Sequence, residues 1–171
     1  MRLRFSVAVG GTHGKTTTSS LLAWMLESAG KNPTYLIGGI PANLGQGARF
    51  TDSEFCVLEG DEYDTAFFDK RAKFVHYRPR TAILNNLEFD HADIYPDVAA
   101  IRRQFNQLLR TVPGGGRIIV NGADAELAAT LQQGCWTPRE TFAVEAESRD
   151  AAAADWSARI AAGSAANRFS V

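Results

Sequence analysis

A lysine followed by three threonines closes a glycine-rich turn in Gly10-Gly11-Thr12-His13-Gly14-Lys15-Thr16-Thr17-Thr18. These are the residue types of a phosphate cradle. Glycines let backbone N–H groups approach phosphate oxygens, and a following helix N-terminus adds partial positive charge. The lysine neutralises the β/γ end of a nucleotide, and the hydroxyl of the next threonine can hold Mg²⁺. The spacing is not the commonest one: G-x4-G-K-[ST] would place glycine at position 9, where this chain has Val9, so the loop is one residue tighter. His13 within it could contact a phosphate or a carboxylate, or serve only as a turn residue.

Two further stretches carry chemistry. Glu59-Gly60-Asp61-Glu62-Tyr63-Asp64 puts four carboxylates into six residues, which repel one another unless cations lie among them. Glu59, the first acid after an apolar run, is the expected Mg²⁺ partner of the phosphate loop. Asn85-Asn86-Leu87-Glu88-Phe89-Asp90-His91-Ala92-Asp93 gathers polar groups behind a second apolar run. His91 stands there between Asp90 and Asp93 as a candidate site residue. Imidazole suits softer metals than Mg²⁺, which prefers oxygen, so the chemistry of the residue alone does not make it a magnesium ligand. Arg71, Lys73, Arg78 and Arg80 read as a solvated basic face. Trp24, Trp136 and Trp156 read as core or half-buried packing.

Positioning these groups needs alternating strands and helices. Phe5–Val9 reads as a strand, and Lys15 to Ser28 as a helix whose apolar face is Leu21, Leu22, Met25, Leu26 and Ala29, stopped by Gly30. Strands follow at 34–37, 55–58, 81–84 and 117–120. The runs at 55–58 and 81–84 are continuously apolar, as expected where both faces of a parallel sheet are covered. Pro96-Asp97 starts a helix bearing Ile101, Phe105, Leu108 and Leu109, and Ala123 to Leu131 forms a short one. The expected fold is α/β: a phosphate-loop-type, mostly parallel sheet flanked by helices, with a small antiparallel β appendage near the C-terminus built from 141–144, 155–160 and 169–171. The Ala-rich 151–154 and Ala/Gly/Ser-rich 161–166 read as turns or flexible segments.

Composition excludes several classes. The chain has 171 residues, 45% of them apolar, enough for one domain with a real core. A net charge of −1 gives no basic field for nucleic acid. No run of about 18 apolar residues exists to insert into a membrane. Two cysteines, Cys56 and Cys135, fit small core residues and a reducing, cytoplasmic setting better than a disulfide framework.

Taken together, Gly11–Thr18, Glu59–Asp64 and Asn86–Asp93 resemble the Mur ligase family, in that family's order, and the resemblance to its central ATP-binding domain covers nearly the whole chain. The short phosphate loop is ordinary for that family. The resemblance implies a ligase in which ATP phosphorylates the lactyl carboxylate of UDP-N-acetylmuramate and an amine then attacks the acyl phosphate. Glu59-Gly60-Asp61-Glu62-Tyr63-Asp64 through Arg71, with Lys73–Pro79, is similar to the branch whose amine is the murein tripeptide L-alanyl-γ-D-glutamyl-meso-diaminopimelate, used in peptidoglycan recycling. The L-alanine-adding branch typically carries Glu-Ala-Asp-Glu-Ser-Asp. By the family pattern Gly11, Thr12, His13, Gly14, Lys15, Thr16 and Thr17 hold the nucleotide. Lys15, Glu59 and His91 are the catalytic set. Thr16 and Glu59 hold one Mg²⁺, and Glu59 with His91 a second. The expected domain is 1–171 as the central unit, without the family's N-terminal UDP-sugar domain and C-terminal domain, hence inactive alone. Lys15 is expected at a solvent-facing loop end, so that Lys15→Ala spares the fold. A nucleotide switch without ligase chemistry and a folylpolyglutamate-synthase-like ligase are the remaining alternatives.

Overall fold

The computed structural model describes residues 4–90, 93–144, 154–160 and 169–170. The chain runs β1 (Phe5–Gly10), α1 (Lys15–Ser28), β2 (Thr34–Leu36), β3 (Ala48–Arg49), β4 (Phe55–Glu59), β5 (Asp64–Ala66), β6 (Asp69–Ala72) and a 3-10 turn (Lys73–His76). It continues with β7 (Thr81–Leu84), α2 (Val98–Thr111), β8 (Arg117–Asn121), α3 (Ala125–Gln132), β9 (Arg139–Val144), β10 (Trp156–Ile160) and β11 (Phe169–Ser170).

Among the described residues the strands form a nine-stranded sheet in the order β11-β10-β9-β8-β7-β1-β4-β2-β3, with β5 and β6 as a separate pair. β1 lies parallel between β4 and β7, and β2, β8, β9 and β10 continue the parallel pairing outward. The mostly parallel α/β sheet is therefore as expected. The antiparallel pairing near the C-terminus is β10 with β11, whereas β9 and β10 extend the main sheet in parallel. The two-stranded antiparallel sheet, β5 with β6, lies mid-chain. Most of the 151–154 stretch and all of 161–166 lie outside the described residues.

Side-chain alternation divides the core. Tyr35 and Val57 stand opposite one another on β2 and β4, and with Ile37 they pack against Ala23, Leu22 and Leu26 of α1. One residue out of phase, Ala82, Leu84, Ile118 and Val120 point to the other face, where Ile101, Phe105, Leu108 and Leu109 of α2 and Leu127 of α3 cover them. α2 starts where Pro96-Asp97 predicts, with the Asp97 carboxylate accepting from Ala100 N at 2.7 Å.

The apolar face of α1 differs from expectation. Its buried residues are Ser19 and Ala23, while Leu21 and Met25 are more than half exposed. Small side chains let the helix sit close to the sheet, so the larger residues at the neighbouring angle face outward. The tryptophans are not core either. Trp24 is 39% exposed, and Trp136 and Trp156 lie at the surface, under the Arg110 guanidinium and bonded through Nε1 to Glu140 respectively. Cys56 is buried, Cys135 half-buried, and both are free thiols.

Candidate nucleotide and metal site

The sheet order changes direction beside β1: the chain first builds outward to β2 and β3, comes back to insert β4 against β1, then crosses to add β7 and β8 on the other side. Loops leaving the ends of β1, β4 and β7 diverge there and leave a crevice, the usual place for a ligand in an open α/β sheet. Gly10–Gly14, Glu59–Asp64 and Asn85–Asp90 all fall at these ends.

The glycine-rich loop is bolted to the end of β7. Thr12 N donates to Asn86 O (3.1 Å), and Glu88 N donates to Thr12 Oγ1 (2.8 Å). His13 N donates to Asn86 Oδ1 (2.8 Å), and Asn86 Nδ2 returns to His13 O (3.2 Å). The polar groups of Thr12 thus face β7, and the His13 imidazole lies at the surface, 3.8 Å from Glu88 Oε2. Gly11 at φ +149° and Gly14 at φ +76° take backbone conformations that L side chains rarely adopt. Gly14 is the N-cap of α1 and offers no side-chain cap, so the first-turn N–H groups are left to an incoming anion. Thr18 Oγ1 is held from behind by Asn85 Nδ2 at 2.9 Å.

Lys15 Nζ donates to Gly11 O (2.7 Å), Thr12 O (3.1 Å) and Glu62 Oε1 (2.8 Å). Its side chain is 15% exposed and that of Glu62 is 3% exposed. The solvent-facing position expected for Lys15 is therefore corrected: its charge is folded into the loop because a buried carboxylate lies beneath it. Tyr95 OH donates to Glu62 O and fixes that residue's backbone, while burial, reinforced by the Glu62 charge, pushes the phenol well above its ordinary range.

Thr16 Oγ1 donates to Glu59 Oε1 (2.8 Å), and Gly38 N donates to Glu59 Oε2 (2.7 Å). Gly60 N bonds Val9 O at 2.7 Å, and a Cβ on Gly60 would stand 2.7 Å from that same oxygen. Only glycine allows this close approach, which sets Glu59 beside the loop. Thr16 and Glu59 offer two adjacent hard oxygens, the donor type Mg²⁺ prefers. Among the described residues no group of three or more His, Cys, Asp and Glu is placed to hold a metal, so phosphate and water oxygens would complete the shell of such an ion. His91 lies outside the described residues. Thr17 is exposed on the first turn of α1.

A cleft of about 490 Å³ extends from Lys15 and Glu59 toward Lys73, walled by Ile37, Tyr63 and Tyr77. Lys73 was not legible as part of it, because a charge run by itself does not tell which members turn inward. Its Nζ lies 2.6 Å from Asp61 Oδ2. Burial raises the Asp61 carboxyl, but the Lys73 ammonium and the Tyr63 N–H outweigh it and hold the group below its usual value. The rest of the basic cluster does face solvent: Arg71 is paired with Asp69, and Arg80 lies over Phe5. Among the described residues no helix is long and apolar enough to cross a membrane.

The family model of the Mur ligase middle domain matches residues 9–169. A UDP-N-acetylmuramate–L-alanyl-γ-D-glutamyl-meso-2,6-diaminoheptandioate ligase of Escherichia coli K12 is 56% identical over 140 residues, 82% of this chain and 31% of that protein. A UDP-N-acetylmuramate–L-alanine ligase of Frankia alni is 41% identical over 127 residues, 74% of this chain and 20% of that protein. The crystal structure of the first kind of ligase from Neisseria meningitides superposes with a TM-score of 0.85 at 50% identity, covering 98% of this chain and 52% of that one. The chain thus spans less than a third of the length of the curated relatives it matches.

Proposed function

The chain belongs to the Mur ligase family, matching its middle domain over residues 9–169, and from that premise we propose that it is the ATP-binding unit of a longer ligase that joins UDP-N-acetylmuramate to the tripeptide L-alanyl-γ-D-glutamyl-meso-diaminopimelate. The observation that carries this reading is the meeting of Lys15, Thr16 and Glu59 from two adjacent strand ends, with Thr16 Oγ1 2.8 Å from Glu59 Oε1. Greater identity to the tripeptide ligase than to the L-alanine ligase supports the choice of amine.

A carboxylate is a poor electrophile, so amide formation needs activation. A carboxylate oxygen of the acid substrate attacks the γ-phosphorus of ATP, the bond to the β-bridging oxygen breaks, and ADP leaves an acyl phosphate. The tripeptide amine then attacks the acyl carbon and loses a proton, and inorganic phosphate leaves as the amide forms. In this reaction Lys15 and the first-turn N–H groups of α1 bind the phosphate chain and take up its charge. Thr16 and Glu59 would hold one Mg²⁺, and Glu59 with His91 a second. Such ions screen the negative charge shared by phosphoryl donor and acceptor. Gly11 and Gly14 shape the loop, Thr12 and His13 lock it to β7, and Thr17 completes the first turn. ATP and a nucleotide sugar as substrates place the reaction in the cytoplasm.

The test is ADP formation by the ligase that carries this chain, with ATP, UDP-N-acetylmuramate and the tripeptide or L-alanine. Tripeptide-dependent ADP formation is the expected result. Dependence on L-alanine instead would reassign the amine, and nucleotide binding with no dependence on either would overturn the ligase reading. The 171-residue chain alone is expected not to turn over.

A further inference from the structure

We propose that Lys73 is the residue that binds the carboxylate of the acid substrate, in the cleft that Lys15 also lines; this rests on the ligase reading above. The two lysines are held by different parts of the chain. An ammonium group has three N–H donors. Lys15 directs all three inward, to Gly11 O, Thr12 O and Glu62. Lys73 directs one to Asp61, and its side chain is 42% exposed against 15% for Lys15.

The position of Lys73 is set by the backbone rather than by chance. Lys73 N donates to Tyr63 O (3.0 Å), and Phe74 N donates to Asp61 O (3.2 Å), so the acidic loop and the 3-10 turn are zipped together. Asp61 Oδ1 accepts from Tyr63 N at 2.9 Å, which aims Oδ2 at the ammonium. Beneath, Phe74 is fully buried against Phe105. A cation held this firmly loses little freedom when an anion arrives.

The chemistry calls for a cation here. Acyl phosphate formation brings a carboxylate against the γ-phosphate, and the two repel. Lys15 and the Thr16–Glu59 pair serve the phosphate side. Lys73, which gives one N–H to Asp61, keeps two further donors for a carboxylate on the acid side. The walls of Ile37, Tyr63 and Tyr77 suit the uncharged sugar and acyl portions of a glycosyl acid, while Asp61 and Glu62 in the same lining disfavour a second phosphate.

The test compares wild type, Lys73→Gln and Lys73→Arg in the ligase that carries this chain. Lys73→Gln is expected to raise KM for UDP-N-acetylmuramate by about tenfold or more while KM for ATP stays within about twofold, the loss of one charged hydrogen bond on one substrate only. Lys73→Arg is expected to restore most of the affinity, since the cation returns. UDP-N-acetylglucosamine, which lacks the lactyl carboxylate, serves as a competing ligand: wild type is expected to prefer the muramate, and Lys73→Gln to lose that preference. An unchanged preference, or KM values for acid and ATP rising together, would overturn the proposal while leaving the ligase reading intact. A wild type without turnover on any acid would instead overturn the reading itself, and the proposal with it.

Discussion

Lys15 shows how a motif residue can take a setting other than the one its motif suggests. Its ammonium is bonded to a carboxylate only 3% exposed. Removing one member of so buried a pair leaves the other charge without its counterion, which typically costs about 3–5 kcal/mol. Lys15→Ala is therefore expected to weaken ATP binding by roughly ten- to hundredfold, the scale of a lost charged hydrogen bond, and also to lower the melting temperature. Adding Glu62→Gln to Lys15→Ala should recover much of the stability and none of the ATP affinity. Calorimetric titration of ATP and thermal melts on the same three proteins check both halves. A single variant that melts like wild type would contradict the buried pairing.

The segment from Asp61 to Tyr77 is the element least visible in the sequence. β5 and β6 are short and charged, with no alternation to mark them, and the 3-10 turn has no sequence signature of its own. Its ion pairs hold it together: Lys73 with Asp61, Lys70 with Asp64 and Arg71 with Asp69, with His76 Nε2 3.0 Å from Asp69 Oδ2. Asp61 and Asp69 are both held below their ordinary carboxyl values, Asp69 chiefly by the Arg71 side chain. A depressed carboxyl pKa contributes stability that is present above the unfolded value, about 4, and lost as pH falls toward the folded one. Melting temperature is thus expected to hold steady between about pH 7 and 5 and to fall below about pH 4. Asp61→Asn and Asp69→Asn should each flatten part of that fall, read from melts across the acid range. An unaltered acid limb in both variants would show that these pairs contribute nothing.

At the scale of the molecule, one aromatic side chain links core to site. Phe105 of α2 is fully buried, touches Phe74 at a centroid distance of 5.1 Å, and lies under Gly10, where a Cβ would meet its ring at 3.5 Å. The glycine-rich loop and the turn carrying Lys73 therefore rest on the same ring. Phe105→Ala is expected to cost about 3–5 kcal/mol, seen in urea unfolding. ATP binding should weaken with it, although the residue touches no ligand. Full ATP affinity in a destabilised Phe105→Ala protein would show that the site does not depend on this support.

The sequence by itself determined the glycine-rich loop, the parallel sheet and the acid at the end of β4. Each is encoded locally, by a glycine turn, a continuous apolar run or a lysine next to a threonine, and local geometry is what sequence order expresses. It misplaced Leu21, Met25 and Trp136 because local spacing gives a stripe, not the neighbour that covers it. Only the tertiary structure decided that Asn86 locks the loop, that Glu62 lies under Lys15, and that Lys73 alone of its cluster turns toward the cleft. Those contacts join residues 12 to 73 positions apart, and such pairings are fixed by packing across the sheet rather than by any signal within reach along the chain.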